Sequence, residues 1–389
     1  MKKVIIFSTN YLPNIGGAEV AVKEITDRIL QSDFSFVLIT PRYRPDLLNY
    51  EKIGSREVYR VGFGTSLDKW FFLLSGFFLA TKLNKKHNFS IAWSIMASQA
   101  SISASLFKIF HKSIPLVLTL QEGDEEDHLK RYVLDNEKLY NIFIKPFHHL
   151  VFKKADCITA ISKHLMDKAK SVVPKTKRVL VSNGVSVKSF SKRINPQKKK
   201  TLEGKLGKRQ GDIFIVTVSR LVKKNAVGDI IQALTYLPTS FKFLIVGEGQ
   251  EYNSLVSLSE VYAVRDRVIF AGKVSPDEIP LYLSVSDVFV RPSLSEGFGN
   301  SFIEAFAARV PVVGTAVGGI VDFLVHKENG MVVPVKSPRD IAEAVKEINE
   351  NRTLRNKIVK NAYSLASEKY DWDNIADSMR QVFDQVNIK

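Results

Sequence analysis

Glu296 and Glu304 bracket the stretch Ser295-Glu296-Gly297-Phe298-Gly299-Asn300-Ser301-Phe302-Ile303-Glu304. Seven residues separate the two carboxylates, and a Gly-Phe-Gly turn follows the first. Glu304 fits a capping box, with Ser301 as N-cap and Glu304 reaching back. That role leaves Glu296 unexplained, since it precedes the helix in a glycine-rich turn after Arg291-Pro292-Ser293. A carboxylate in such a turn can accept two hydroxyl hydrogen bonds, as from a sugar or a ribose. Cations complement these acids. In Ser219-Arg220-Leu221-Val222-Lys223-Lys224-Asn225, Arg220 offers a bidentate fork and Lys224 a point charge, a combination suited to a diphosphate. Two solvated surface cations are the alternative. Gly247 and Gly249, in Val246-Gly247-Glu248-Gly249, permit a close turn over a ligand or a plain strand-to-helix turn. Gly318-Gly319 can present backbone N–H groups. Gly16 and Gly17, in Asn14-Ile15-Gly16-Gly17-Ala18-Glu19, open a helix whose N-terminus favours an anion, or form a mere tight turn.

These groups need rigid elements behind them. Short β-branched runs alternate with helix-length amphipathic stretches along the whole chain. In the first half the runs are Val4–Ser8, Phe34–Thr40, Ile91–Met96, Pro115–Leu120, Cys157–Ile161 and Arg178–Ser182. The second half carries Ile213–Ser219, Phe241–Val246, Arg267–Phe270, Val288–Arg291, Val310–Gly314 and Met331–Pro334. Runs without strict alternation, spaced by helices, indicate parallel sheets covered on both faces. The fold class is therefore α/β, with two doubly wound Rossmann-like domains. The expected division is a first domain over residues 1–190, a basic linker over 191–211, a second domain over 212–370 and a terminal helix over 371–389. Ligands of such sheets bind outside the carboxyl ends of the strands, so a cleft between the domains is the expected site.

Composition narrows the chemistry. The single cysteine, Cys157, excludes a disulfide framework and a cysteine-based zinc cluster, and points to a reducing compartment. The opening MKKVIIFSTNYLP is too short in its apolar run for a signal peptide and reads as a buried strand. No stretch reaches the ~18 apolar residues of a membrane span. The formal net charge is +16, and residues 188–212 hold nine Lys/Arg against two Asp/Glu. Such a run is a solvated linker, or it adds attraction to anionic lipid; no nucleic-acid motif accompanies it. Trp70–Ala80 is strongly apolar, with Lys69 before it and Lys82, Lys85 and Lys86 after it. It reads either as a buried helix of the first domain or as a helix lying at a membrane interface. Asp371-Trp372-Asp373 spells a DxD metal motif, but it opens the last helix, where Asp is a common cap.

Taken in order, "YLPNIGGAE", "ITAISKHL", "VSNGV", "VSRLVKKNAVGDIIQAL", "FLIVGEGQE", "FAGKVS" and "SDVFVRPSLSEGFGNSFIEAFAARVPVVGTAVGG" carry a resemblance to the GT-B glycosyltransferases of glycosyltransferase family 4. These are retaining enzymes that use nucleotide sugars. The resemblance spans nearly the whole chain, and its most specific part is the E-x7-E spacing of Glu296 and Glu304. It implies that Arg220 and Lys224 hold the diphosphate and that Glu296 meets the hydroxyls of the transferred sugar. It further implies that Gly297, Phe298 and Gly299 lie beside the sugar and phosphates. Asn300 and Ser301 would begin the helix facing the diphosphate, and Glu304 would bind the ribose. Lys273 and Val274 would meet the base through the main chain, Gly247 would border the donor, and Gly16 and Gly17 would close over the phosphates. Many relatives carry a histidine where this chain has Gln121; glutamine keeps a sugar contact but cannot titrate. Nearby His128 and the acidic cluster Glu122–Asp127 are a surface histidine and a charged loop, or a substitute and an acceptor contact. No cofactor or metal is implied, only the nucleoside-diphosphate sugar itself. The expected activity is transfer of a hexose-type sugar to a hydroxyl acceptor, lipid-linked or on a surface polysaccharide. The expected setting is the cytoplasm, peripheral to an anionic inner membrane face. A nucleotide-sugar epimerase conflicts with the E-x7-E segment. A non-catalytic nucleotide-sugar-binding or assembly subunit of the same fold stays open on the strength of Gln121.

Overall fold

The computed structural model describes residues 1–13, 16–121 and 145–387. The expectations placed on Asn14 and Ile15, on the cluster Glu122–Asp127 and on His128 fall outside those residues. The chain divides into two compact units. One holds Met1–Asn183 and Trp372–Lys389, the other Gly184–Asp371.

The first unit is built on eight strands: β1 (Lys2–Phe7), β2 (Phe34–Pro41), β3 (Tyr50–Ile53), β4 (Arg56–Val61), β5 (Ile91–Ile95), β6 (Leu116–Leu120), β7 (Cys157–Ala160) and β8 (Lys177–Leu180). Their order is β3-β4-β2-β1-β5-β6-β7-β8, parallel except for the β3–β4 pair. Successive residues of β1 feed opposite layers. Val4 and Ile6 enter one core, Ile5 and Phe7 the other, which is why the strand shows no polar face. The helix Trp372–Val386 closes the first of these cores. Its Phe383 ring sits 5.5 Å from Phe34, 6.3 Å from Phe36 and 5.3 Å from Trp93.

The β3–β4 hairpin is absent from the sequence reading. Its buried face carries Arg56, Val58 and Arg60, the reverse of the usual apolar-in pattern. Both arginines are paired inside. Arg56 reaches Asp27 at 2.7 Å, and Arg60 bonds to Glu51 and to the Leu12 carbonyl. The two-residue Gly54-Ser55 connection was the available signal.

The second unit has six parallel strands: β9 (Ile213–Val218), β10 (Phe241–Val246), β11 (Val268–Gly272), β12 (Val288–Arg291), β13 (Val312–Thr315) and β14 (Met331–Val333). The order β11-β10-β9-β12-β13-β14 reverses direction between β9 and β12, which makes their carboxyl ends the switch point. The basic stretch read as a linker is largely ordered within this unit. Pro196–Lys205 is a helix capped by Asn195, whose side chain accepts from the Gln197 N–H at 2.8 Å. Proline after an asparagine cap favours a helix start, but the helix buries only Leu202 and leaves its lysines outside, so composition alone resembled a linker. The Asp371-Trp372-Asp373 carboxylates are held by protein groups. Asp371 accepts from the Val187 N–H at 3.1 Å, and Asp373 from Arg28 Nε at 2.7 Å.

No helix among the described residues is long and apolar enough to cross a membrane. The helix Asp68–His87 contains the apolar Trp70–Ala80 stretch and has one buried and one exposed side. Phe72, Gly76, Ala80 and Leu83 are buried against the sheet, whereas Trp70, Phe71, Leu74 and Phe78 are exposed.

Candidate functional site

The Arg220 loop is fixed by close backbone contacts. A Cβ on Gly247 would stand 1.9 Å from the Ser219 carbonyl oxygen, and one on Gly249 would stand 2.4 Å from that of Leu221. Gly247 also has φ +140°, a region closed to most side chains. Both glycines are thus needed by neighbouring protein backbone, and Gly247 supports the Arg220 loop from beneath. The Leu221 N–H donates to the Glu248 carbonyl at 2.9 Å, which locks the two loops together.

Within the loop, Arg220 and Lys224 are exposed and Asn225 turns inward. Asn225 Nδ2 donates to the Arg220 carbonyl at 2.6 Å, while its Oδ1 accepts from the Arg291 guanidinium at 3.2 Å. Arg291 closes β12 and was not singled out from sequence. Its guanidinium pairs with Glu296 and donates to the Ser301 hydroxyl at 2.8 Å. Asn225 and Arg291 therefore tie the Arg220 loop to the E-x7-E segment. A charged residue ending an otherwise apolar strand, Val288-Phe289-Val290-Arg291, was the one sequence signal for it.

The helix after the glycine turn starts two residues earlier than the capping-box reading has it. It runs Asn300–Ala307, its N-cap is Gly299 at φ +98°, and no side chain caps it. Ser301 lies inside the first turn with its hydroxyl given to Arg291, so the capping-box explanation of Glu304 is replaced. Glu304 is closely surrounded by protein. Burial pushes its carboxyl up to about 7, and the nearby Arg291 charge pulls it partly back. Glu296 is anchored through its main chain as well, since its carbonyl accepts from the Gly319 N–H at 3.0 Å. A Cβ on Gly318 would meet that same carbonyl at 1.9 Å. Phe298 is buried, with its ring 5.4 Å from Phe323 and 5.5 Å from Tyr370. Its side chain pins the turn to the core; Gly299 is buried with it, whereas Gly297 is half-buried.

Four buried polar atoms without a protein partner gather at these strand ends: Thr217 Oγ1, Ser219 Oγ, Arg291 Nε and Ser293 Oγ. Such atoms are uncommon in a core. At the end of β11, Lys273 is exposed and pairs loosely with Glu248 at 3.5 Å, with Val274 beside it. A cavity of about 550 Å³ on the flank of the Arg220 loop is lined by Val222, Lys223, Asp229, Gln232, Glu251 and Lys336, among others. It contains none of Arg220, Glu296 or Glu304, so it is separate from the strand-end site.

In the first unit, Gly16 caps the helix Gly17–Arg28 and donates its N–H to Glu19 at 2.7 Å. Gln121 follows β6 and is buried, with its amide oxygen accepting from Asn183 Nδ2 at 2.9 Å.

Comparison with known proteins fits this architecture. The family model described as "Glycosyltransferase Family 4" matches residues 15–189, and "Glycosyl transferases group 1" matches residues 198–365. An uncharacterized glycosyltransferase of Methanocaldococcus jannaschii is 26% identical over 392 residues, covering 98% of this chain and 97% of that protein. The alpha-monoglucosyldiacylglycerol synthase of Streptococcus pneumoniae is 22% identical, covering 80% of this chain and 70% of that protein. Among solved structures, the sucrose-phosphate synthase of Thermosynechococcus elongatus superposes with TM-score 0.81 at 19% identity, over 99% of both chains. Anabaena HepE in complex with UDP and glucose superposes with TM-score 0.76 at 18% identity, over 99% of this chain and 100% of that one. With the two models matching successive halves and the strand-end site in the second of them, the chain belongs to the GT-B glycosyltransferases of the family 4 type.

Proposed function

We propose that this protein transfers a hexose-type sugar from a nucleoside-diphosphate sugar to a hydroxyl acceptor, with retention of configuration and without a metal. The observation that carries the reading is the joining of Arg220, Arg291, Glu296 and the uncapped helix Asn300–Ala307 at the switch point. The departing diphosphate accumulates negative charge as the glycosidic bond breaks. Arg220, Lys224 and the helix N-terminus are the groups that stabilise it. Glu296 orients the transferred sugar through its hydroxyls, and Glu304 receives the ribose. The acceptor hydroxyl attacks from the face the diphosphate leaves and passes its proton to a leaving phosphate oxygen.

The UDP complex of the Anabaena neighbour and the diacylglycerol-linked product named for the Streptococcus relative support a nucleotide donor and a lipid acceptor. The setting we propose is the cytoplasmic face of a membrane. Gln121 favours a second reading, a sugar-nucleotide-binding subunit without turnover, because its amide oxygen is already engaged by Asn183.

A thermal-shift screen of UDP-, GDP- and ADP-sugars identifies the donor, since ligand bound to the native state raises Tm by mass action. Turnover of the stabilising donor, with radiolabel appearing in a lipid or oligosaccharide fraction, establishes transfer. Stabilisation without turnover over a broad acceptor panel supports the binding subunit. No stabilisation by any sugar nucleotide overturns the donor site.

A further inference from the structure

Residues 61–115 hold six lysines and a single acid, Asp68. That acid is buried, with its carboxylate accepting from the Gly64 and Thr65 N–H groups at 2.8 and 3.2 Å. Over the same segment the surface is unusually apolar. Leu67, Trp70, Phe71, Leu74 and Phe78 follow one another at helical spacing on the outer face of Asp68–His87, between 38% and 69% exposed. Ring contacts extend this face in both directions. Phe63 lies 5.2 Å from Phe71, and Phe110 lies 5.1 Å from Phe77, itself 5.1 Å from Phe78. Phe63 and Phe110 are 75% and 69% exposed. The same outer stripe continues into Lys82 and Lys85, with Lys86 beside them, all exposed.

A helix buried on one side and apolar on the other has an unmet partner. We infer that the surface formed by Phe63, Leu67, Trp70, Phe71, Leu74, Phe78 and Phe110, rimmed by Lys82, Lys85 and Lys86, is the face by which this chain lies on an anionic lipid bilayer. The charge pattern selects this occupant over a second copy of the chain. Two such faces would bring lysines against lysines, in a protein whose formal net charge is +16, with no exposed acid in the segment to answer them. An anionic surface meets the lysines and takes up the aromatic rings. The inference deepens the lipid-acceptor reading by naming the surface, but it stands on that surface alone.

The chain carries its own reporter. Trp93 and Trp372 are buried, at 1% and 3% exposure, whereas Trp70 lies in the proposed face. Vesicles rich in phosphatidylglycerol should therefore bind the protein in a sedimentation assay and shift the Trp70 emission to the blue. Brominated acyl chains should quench it. Raising salt should weaken binding, because the lysine contribution is screened. Replacing Lys82, Lys85 and Lys86 by alanine should lower vesicle affinity on the order of a hundredfold. Leu74→Ser with Phe78→Ser should abolish the blue shift and leave the unfolding midpoint unchanged, since both side chains already face solvent. Phe72 is fully buried and is kept out of the test. No sedimentation with phosphatidylglycerol vesicles at low salt overturns the inference. So does binding that the Leu74/Phe78 variant retains, or a concentration-dependent dimer that this variant alone abolishes. No sugar nucleotide enters the assay, so failure here leaves the transferase reading intact, and failure of turnover leaves the membrane face intact.

Discussion

At the scale of single residues, the site divides charge between solvent-facing and buried groups. Arg220→Ala removes the cation proposed to stabilise the leaving group, and should lower kcat by roughly 10²-fold or more. Its exposed side chain implies little change in the unfolding midpoint, so steady-state kinetics and thermal unfolding on one sample separate the two roles. Arg291 is different. Arg291→Ala leaves Glu296 without its counter-charge in a largely buried setting, which should cost about 3 kcal/mol of stability, the lower end for a broken buried pair. Urea unfolding should show that loss, with Arg291→Lys intermediate because a single ammonium cannot span Glu296, Ser301 and Asn225 together.

Glu304 gives a pH signature. Its folded value of about 7 lies above the ordinary 4.5, so folding favours the protonated form. That stabilisation is fully present below 4.5 and is lost as pH rises through about 7. Under the proposed ribose contact, nucleotide affinity should run the opposite way, because ribose hydroxyls would donate to the ionised carboxylate. Calorimetric titration should show affinity falling as pH drops below about 7, and Glu304→Gln should flatten that dependence. An affinity independent of pH in the wild type would remove Glu304 from the ribose contact. The two glutamates were legible in the sequence because spacing and turn chemistry mark them. Asn225 and Arg291 were not, since which of three neighbouring polar residues turns inward is decided by the strand end beneath them.

At the scale of elements, Gly247 and Gly249 are required by the neighbouring backbone. Gly247→Ala places a methyl 1.9 Å from the Ser219 carbonyl at a φ of +140°. It should destabilise by more than ~1 kcal/mol and displace the loop that carries Arg220, lowering kcat together with the unfolding midpoint. The parallel strands were readable from continuous apolar runs, and all twelve runs named from sequence coincide with strands. The β3–β4 hairpin escaped because its inward residues are arginines. Burial there is compensated by Glu51 across the hairpin and by Asp27 from the helix Gly17–Arg28, and an apolar alternation pattern registers neither. The helix Pro196–Lys205 escaped for the opposite reason, since one buried leucine is too little periodicity to see.

At the scale of the whole molecule, each unit has its own sheet and core, and the first is completed by the last helix. Phe383→Ala removes a ring shared by Phe34, Phe36 and Trp93, and should cost about 3–5 kcal/mol in the first unit. Differential scanning calorimetry and Trp93 fluorescence check this, and an unchanged transition would show that the helix merely rests on the surface. The chain order of that unit has a consequence for birth on the ribosome. Residues up to Asn183 emerge with one face of their sheet covered only in part, by the helix Gly17–Arg28, and Trp372–Lys389 follow only after the entire second unit has been made. At ordinary elongation rates that wait lasts roughly 10–40 s. During it, Phe34, Phe36 and Trp93 lack their lid, so the nascent first unit is the part that needs chaperone cover, while the second unit, contiguous in sequence, can fold as it appears.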